Sequence, residues 1–332
     1  MNIVDAHLDL ADNAMRGRAV ERPAREQKVD EAGIPTVGLP DLRAGGVSLV
    51  CATIFCEPAL DGNPGYHNAE EAHARATRQL DWYRRQEQTN GTMRFMRSPE
   101  DIKIPPDTNS TRAILLLEGA DPIREESDLE IFYNAGLRIV GLAWKRTRFA
   151  GGTRAPGPLT ADGVALVKSL DHLGIIHDAS HLAEESFWQL LEISGGPLIA
   201  SHSNCRAIVP TDRQLSDEMI RAIVRRGGVI GINFYDKFLL SPEEYGKRRA
   251  KLSDVTRHIR HICDIAGDAK HVGLGTDMDG YVNREQIPIE IETSADLSRV
   301  ADALAAGDFS DTDIANIMGG NWLRFFERNL SS

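Results

Sequence analysis

Three histidines and three carboxylates stand where short apolar runs give out: His7 and Asp9, Glu118, His181, His202 and Asp277. Side chains alternate along a strand, so His7 and Asp9, two apart, point to one face and suit a shared ion. Glu118 closes the run Ala113-Ile114-Leu115-Leu116-Leu117, and a carboxylate buried there is costly unless it is paired or bound to a metal. Asp277 closes Val272-Gly273-Leu274-Gly275-Thr276 in the same way. Each residue alone has a plainer explanation: a chance pair in a strand, a satisfied core histidine, a glutamate emerging into solvent, a turn aspartate. Their common position at run ends weighs against all of these together. Six N/O ligands exceed the four of a single tetrahedral zinc and suit two divalent ions bridged by a carboxylate and a hydroxide. Two such ions bring +4, and Asp9, Glu118, Asp277 and a hydroxide bring −4. Imidazole with carboxylate fits zinc without excluding manganese or iron.

The remaining histidines read as structural. His258 and His261 sit among Arg257 and Arg260 on a solvated helix face, and His271 lies at the start of a run. His67, His73 and His172 fall in helices or loops. His177 shares parity with His181 four residues deeper, which reads as core-facing.

The elements that must position these groups are eight apolar runs: Ile3–Leu10, Gly46–Phe55, Ala113–Gly119, Leu137–Trp144, Gly174–His181, Pro197–Ser203, Gly228–Phe234 and His271–Asp277. Their length suits strands buried on both faces. Segments with helical character lie between them, including Ala69–Gln86, Leu129–Ala135, Thr160–Leu173, Leu182–Ile193, Ser216–Arg226, Ser253–Ala266 and Leu297–Ala306. Thr160 and Ser216 are placed as caps. Strand followed by helix, repeated eight times, predicts an α/β fold: a (β/α)8 TIM-type barrel with its metal site at the C-terminal ends of the strands. An open doubly wound sheet is the runner-up and lacks its glycine-rich signatures here. The stretch Glu21–Leu42 looks irregular, and Asp311–Leu330 reads as one more helix packed outside the barrel. A single barrel domain over 1–332 is the simplest organisation.

The 332 residues carry a net charge of −11 with 42% hydrophobic content. This excludes a disordered or collagen-like chain and argues against nucleic acid as a partner, which would need a basic footprint. No 18-residue apolar stretch predicts a membrane helix, and the start MNIVDAHLDL is not that of a signal peptide. Four cysteines without zinc or disulfide spacing read as reduced thiols of a cytoplasmic protein.

With these residues in view, the chain resembles the membrane dipeptidase (renal dipeptidase) family of the amidohydrolase superfamily. The resemblance runs from Asp5-Ala6-His7-Leu8-Asp9 to Gly320-Asn321-Trp322-Leu323-Arg324. Between them stand Leu117-Glu118-Gly119-Ala120-Asp121, Asp178-Ala179-Ser180-His181, Ser201-His202-Ser203-Asn204, Gly231-Ile232-Asn233-Phe234-Tyr235 and Gly275-Thr276-Asp277-Met278-Asp279-Gly280. It implies that His7 and Asp9 hold one zinc, His181 and His202 the other, and Glu118 bridges both. Asp277 would hold or exchange a proton with the bridging water, and Arg213 would bind the substrate's terminal carboxylate; otherwise Arg213 is a loop arginine paired with Asp212 or Asp217. The implied function is a cytoplasmic binuclear zinc dipeptidase in which a metal-bound hydroxide attacks the peptide bond of a small dipeptide. No nucleic-acid or membrane partner is expected, and a homodimer is compatible with the reading. The alternatives are a related amidohydrolase acting on another amide, a lactone or an N-acyl amino acid, and a catalytically dead metal-binding protein that binds peptides.

Three departures from the family stand out. Trp144 occupies the place of a histidine thought to polarise the scissile carbonyl. Its indole N–H could replace the imidazole, Arg146 or Arg148 could take over, the metal alone could suffice, or Trp144 could only pack the substrate pocket. The signal peptide and lipid anchor of secreted animal members have no counterpart in the sequence. His177 stands where an apolar residue is usual.

Overall fold

The computed structural model describes residues 2–59, 64–107 and 109–331. All eight expected runs form strands, and one further strand joins them: β1 (Ile3–Leu8), β2 (Val47–Phe55), β3 (Met93–Phe95), β4 (Thr111–Glu118), β5 (Leu137–Gly141), β6 (Ile176–Asp178), β7 (Leu198–Ile199), β8 (Ile230–Ile232) and β9 (Val272–Leu274). The sheet runs β7-β6-β5-β4-β2-β1-β9-β8, and every pairing is parallel. A bridge between Ala200 and Ile230 joins its ends, so the strands close into a barrel with helices between them, as expected. The unforeseen β3 lies beside the lower part of β4, pairing Met93 to Phe95 with Thr111 to Ala113. Three residues are too few to display a period.

Alternation within the strands sorts core from coat. On β4, Ile114 and Leu116 point inward with Val4, Ala6, Leu49, Cys51, Ile139, Ile176 and Ile199. Ala113, Leu115 and Leu117 face the helices. Glu118 is next in the inward set. On β1 the alternation is interrupted: Asp5 pairs with Val50 and Leu8 with Ala52, three residues against two. Such a bulge re-aims a side chain beside a site. Asp9 lies beyond the strand, at the start of the helix Leu10–Met15.

The helix caps form as expected, with Thr160 accepting from the Gly163 amide and Ser216 from the Met219 amide. Several other details differ. The strands stop before the functional side chains, so His181, His202 and Asp277 stand three residues beyond β6, β7 and β9, respectively. Parity therefore does not carry from His177 to His181. Ile176 points into the barrel, while His177 turns to the helix layer, where its Nε2 lies 2.7 Å from Asp171 and 3.1 Å from the Ser194 hydroxyl. His258 is not solvated: it is fully buried, with the Cys205 amide donating to its Nδ1 at 3.1 Å. Its arginine neighbours lie on the other face of the same helix. His261 is half-buried and pairs with Asp217 at 2.8 Å.

The tail is not a single helix outside the barrel. A π-helical turn, Asn316–Gly320, separates Asp311–Ala315 from Asn321–Asn329. Trp322, Phe325 and Phe326 then pack onto the apolar residues lining the barrel's lower end. The Trp322 indole donates to the Leu274 carbonyl at 3.0 Å. Gly273 makes room for it, because a Cβ there would lie 2.3 Å from the indole nitrogen.

Candidate active site

At the upper end the barrel opens into a cleft of about 350 Å³. The Glu118 carboxylate stands in its floor, 3.6 Å from His7 Nε2, 3.1 Å from His181 Nε2 and 3.4 Å from His202 Nε2. His7 Nε2 is also 3.9 Å from Asp9 Oδ1, and the Nε2 atoms of His181 and His202 are 2.9 Å apart. The fold thus brings together residues from five separate stretches of chain. Their ligand atoms form two trios, His7–Asp9–Asp277 and Glu118–His181–His202, each within 4.8 Å.

The donor set fits divalent cations. His7 Nε2, Asp9 Oδ1 and Glu118 Oε1 are buried and lack hydrogen-bond partners. Leaving such a group unsatisfied costs ~1–3 kcal/mol, and cations among them would satisfy all three. The electrostatics agree. Burial, with help from Arg213, draws His181 down to about 4, and burial with His7 and Arg213 draws His202 well down, so both present neutral lone pairs. Burial opposes charge on His7 too, but Glu118, Asp9 and Asp277 outweigh it and lift it to about 10. Burial pushes Asp277 up to about 7, with Glu118 adding and His7, Asn233 and Arg213 opposing. A site where burial and mutual repulsion oppose the charges of Asp9 and Asp277 is one that a cation stabilises.

Backbone strain marks the same place. Six described non-glycine residues have positive φ: Arg154, His181, Asp277, Asp279, Tyr281 and Asp308. Four of them, Arg154, His181, Asp277 and Tyr281, line the cleft. Such conformations persist where surrounding structure over-determines them, commonly at functional sites. Gly280 belongs to this turn, since a Cβ on it would fall 1.9 Å from Asp277 Oδ1. The second aspartate of the turn has a different task. Asp279 faces away and accepts from Thr36 and Val37 amides at 2.9 Å, with Arg18 at 3.0 Å.

Arg213 lines the cleft and is buried at 4% exposure. It pairs with neither Asp212 nor Asp217: its Nη atoms donate to the Ser203 hydroxyl at 3.0 Å and the His202 carbonyl at 2.7 Å. Its Nε is buried without a partner. Trp144 lies in the loop beyond β5 and forms cleft wall, edge-on to Phe55 at 5.3 Å between ring centres. Arg146 donates to the Pro156 carbonyl and Arg148 to the Ile123 carbonyl. Neither lines the cleft.

Sequence reasoning missed other lining residues, among them Lys145, Arg154 and Lys237. It also gave no role to Asn233, which donates to Asp277 Oδ2 at 2.9 Å. Asn233 stood in a quoted motif, which was a usable signal. Lys145 and Arg154 sit in loops and Lys237 in the four-residue helix Asp236–Leu239, all too short to show a pattern of their own.

Comparison with known proteins agrees with the geometry. The family model "Membrane dipeptidase (Peptidase family M19)" matches residues 1–331. A solved structure of the dipeptidase AC, a family M19 metallopeptidase, superposes with a TM-score of 0.85 at 27% identity, covering 100% of this chain and 99% of that one. A Rhodobacter sphaeroides metallopeptidase, solved with a phosphinate mimic of the dipeptide L-Ala-D-Ala, gives 0.83 at 28% identity, with 99% of each chain covered. An uncharacterised Klebsiella pneumoniae protein encoded in the pqqA 5′ region is 34% identical over 246 residues, 70% of this chain and 88% of its own length. The family name notwithstanding, no described helix is long and apolar enough to cross a membrane. A barrel with its polar donors gathered at the strand ends, and relatives matched along nearly its whole length, place the chain in the membrane dipeptidase family, peptidase family M19, as a metallopeptidase that hydrolyses peptide bonds.

Proposed function

We propose that the protein cleaves dipeptides bearing a free C-terminal carboxylate and that it works with two zinc ions. His7 and Asp9 would hold one ion, His181 and His202 the other, and Glu118 would bridge them. When bound, such a pair supplies an activated water and polarises the scissile carbonyl. The observation that carries this reading is the set of three buried, unpartnered donor atoms facing one another beside a buried, half-satisfied arginine.

The chain's own residues do the rest. Arg213 is held by Ser203 and the His202 carbonyl, so its guanidinium is aimed before substrate arrives, and its free Nε–H remains to donate to a carboxylate. Asp277 takes the proton of the attacking water and returns it to the leaving amine. Asn233 fixes the Asp277 carboxylate through Oδ2. Trp144 and Phe55 close one wall of the cleft, limiting the side chains admitted and shielding the bond from bulk water. The Rhodobacter sphaeroides relative's dipeptide mimic supports a substrate of this size.

A dipeptide library, assayed with metal content measured on the same sample, tests the proposal. Dipeptides should turn over, with about two ions per chain, and C-terminal amides should be poor. In Arg213→Ala the KM for free-carboxylate substrates should rise and their advantage over amides narrow. Turnover confined to N-acyl amino acids or lactones would overturn the dipeptide assignment, and an active protein free of metal would overturn the two-ion one.

A further inference from the structure

Behind the metal-facing edges of the histidines lies a second polar layer formed by Asp178, Ser180, Ser201 and Ser203, all at most 3% exposed. The Ser201 hydroxyl is its centre. It lies 2.5 Å from Asp178 Oδ2, 2.7 Å from His202 Nδ1 and 3.3 Å from His7 Nδ1. Asp178 is held in turn by the amides of Ser180 at 2.9 Å and Ser201 at 2.8 Å. The atoms of His7, Asp178 and His202 crowd together like a third set of metal ligands, but the hydroxyl stands among them.

We infer that Ser201 is a positioning residue: one hydroxyl that fixes the tautomer of a histidine in each of the two proposed ion sites. Hydrogen counting leads there. A hydroxyl has one proton to donate and two lone pairs. Asp178, an acceptor only when ionised, takes the proton. The fourth neighbour, the Ser180 hydroxyl at 3.3 Å, has the Ser203 hydroxyl at 3.2 Å for its own proton, so both lone pairs are left for N–H donors, and His7 and His202 each carry their proton on Nδ1. Each Nε2 is thereby an unprotonated ligand facing Glu118. Partners of this kind orient metal-binding imidazoles, and losing one typically costs ~10–100-fold in metal affinity. His181 has its own partner, the Thr153 hydroxyl at 3.0 Å from Nδ1, so of the two hydroxyls only Ser201 serves a histidine of each proposed site. This inference rests on the two-ion reading above.

Nitrogen-15 NMR of the zinc-loaded parent protein tests it without a variant. The His7 and His202 rings should both show a proton on Nδ1, and an Nε2–H on either ring overturns the inference. Chelator competition gives a second arm. Ser201→Ala should weaken both ions together by ~10–100-fold, whereas Thr153→Ala should weaken only the ion at His181 and His202. Parent-like affinity in Ser201→Ala, or loss at one ion alone, overturns it. A parent that binds no metal defeats the two-ion reading itself, a result distinct from either.

The charge of the cleft wall independently carries a second proposal. Arg154 and Lys237 line the same cleft as Arg213. The Arg154 amide binds Asp212 at 2.7 Å, and Lys237 precedes Phe238, whose ring lies 5.4 Å from the Arg213 guanidinium. Neither side-chain cation has an anionic partner among the described residues. One terminal carboxylate needs only Arg213, yet in a chain of net charge −11 Arg154 and Lys237 line the same cleft. We propose that the preferred dipeptides carry an acidic C-terminal side chain. The test compares kcat/KM for Ala-Asp with Ala-Asn and for Ala-Glu with Ala-Gln, in both C-terminal configurations. The acidic member should lead by about tenfold at low salt, and the ratio should shrink in Arg154→Ala and Lys237→Ala. Equal rates in the parent, or ratios untouched by both variants, overturn the proposal. No cleavage of any dipeptide would fail the dipeptidase reading instead.

Discussion

At the lower end of the barrel, Trp322, Phe325 and Phe326 meet an interior of Val, Ile, Leu and Ala, and the one polar group they bring is spent on the Leu274 carbonyl. At the upper end, the inward positions of the same strands and the turns after them carry His7, Glu118, His181, His202 and Asp277, two of them, His7 and Glu118, with donor atoms left unpaired. Both ends are buried. The lower one is lined almost wholly by apolar side chains packed on one another and is thereby a source of stability. The upper one leaves demands open that only a ligand meets, and so gives up stability for binding and chemistry. Within a (β/α)8 barrel the chain direction decides which end is which, because the loops after the strands all emerge on one rim.

Substitutions at the two ends should separate these roles. The largest effect is expected from Glu118→Gln, which keeps the shape but removes the charge at the centre of the upper end. Both proposed ions should be lost and activity should fall at least ~10⁴-fold, toward the uncatalysed rate; metal analysis alongside turnover checks this, and retained metal with full activity would erase the contrast. Asp277→Asn should be more selective, keeping most metal while turnover drops ~10²–10⁴-fold. A near-parent rate in that variant removes Asp277 from proton transfer. At the lower end, Trp322→Ala should cost about 3–5 kcal/mol of stability, read from denaturant unfolding, while metal content and kcat per folded molecule stay at the parent's values. A large fall in kcat there would mean that the ends are coupled. The smallest effect is expected from Trp144→Phe. Its ring forms cleft wall, so the change should appear in KM with kcat within about threefold. A kcat loss near ~10²-fold would instead identify the indole N–H as an oxyanion donor.

The upper end was the more legible of the two. Polar residues that interrupt apolar runs are conspicuous in sequence, and a buried carboxylate such as Glu118 demands a reason. The lower end hid because apolar residues on a terminal helix look alike whether they coat a barrel or plug it; the fate of Trp322 depended on a π-helical turn, Asn316–Gly320, with no sequence period to reveal it. The three-residue strand β3 went unseen because, unlike β6, β8 and β9, it is not embedded in a longer apolar run. His258 misled in the opposite direction, since flanking arginines suggested solvent where only the other face of the helix is wet.

By itself, the sequence determined the alternation of strand and helix, the apolar inward set of β4 and the identity of the groups at the strand ends, because burial selects residue types one position at a time. Tertiary structure alone decided how those groups meet. The bulge in β1 turned His7 into the site, the positive φ of His181 and Asp277 aimed side chains that had already left their strands, and closure of the ring between β7 and β8 brought Ser201 beside His7. These depend on backbone geometry and on contacts between residues 194 positions apart, and nothing in a local pattern encodes a distance of that kind.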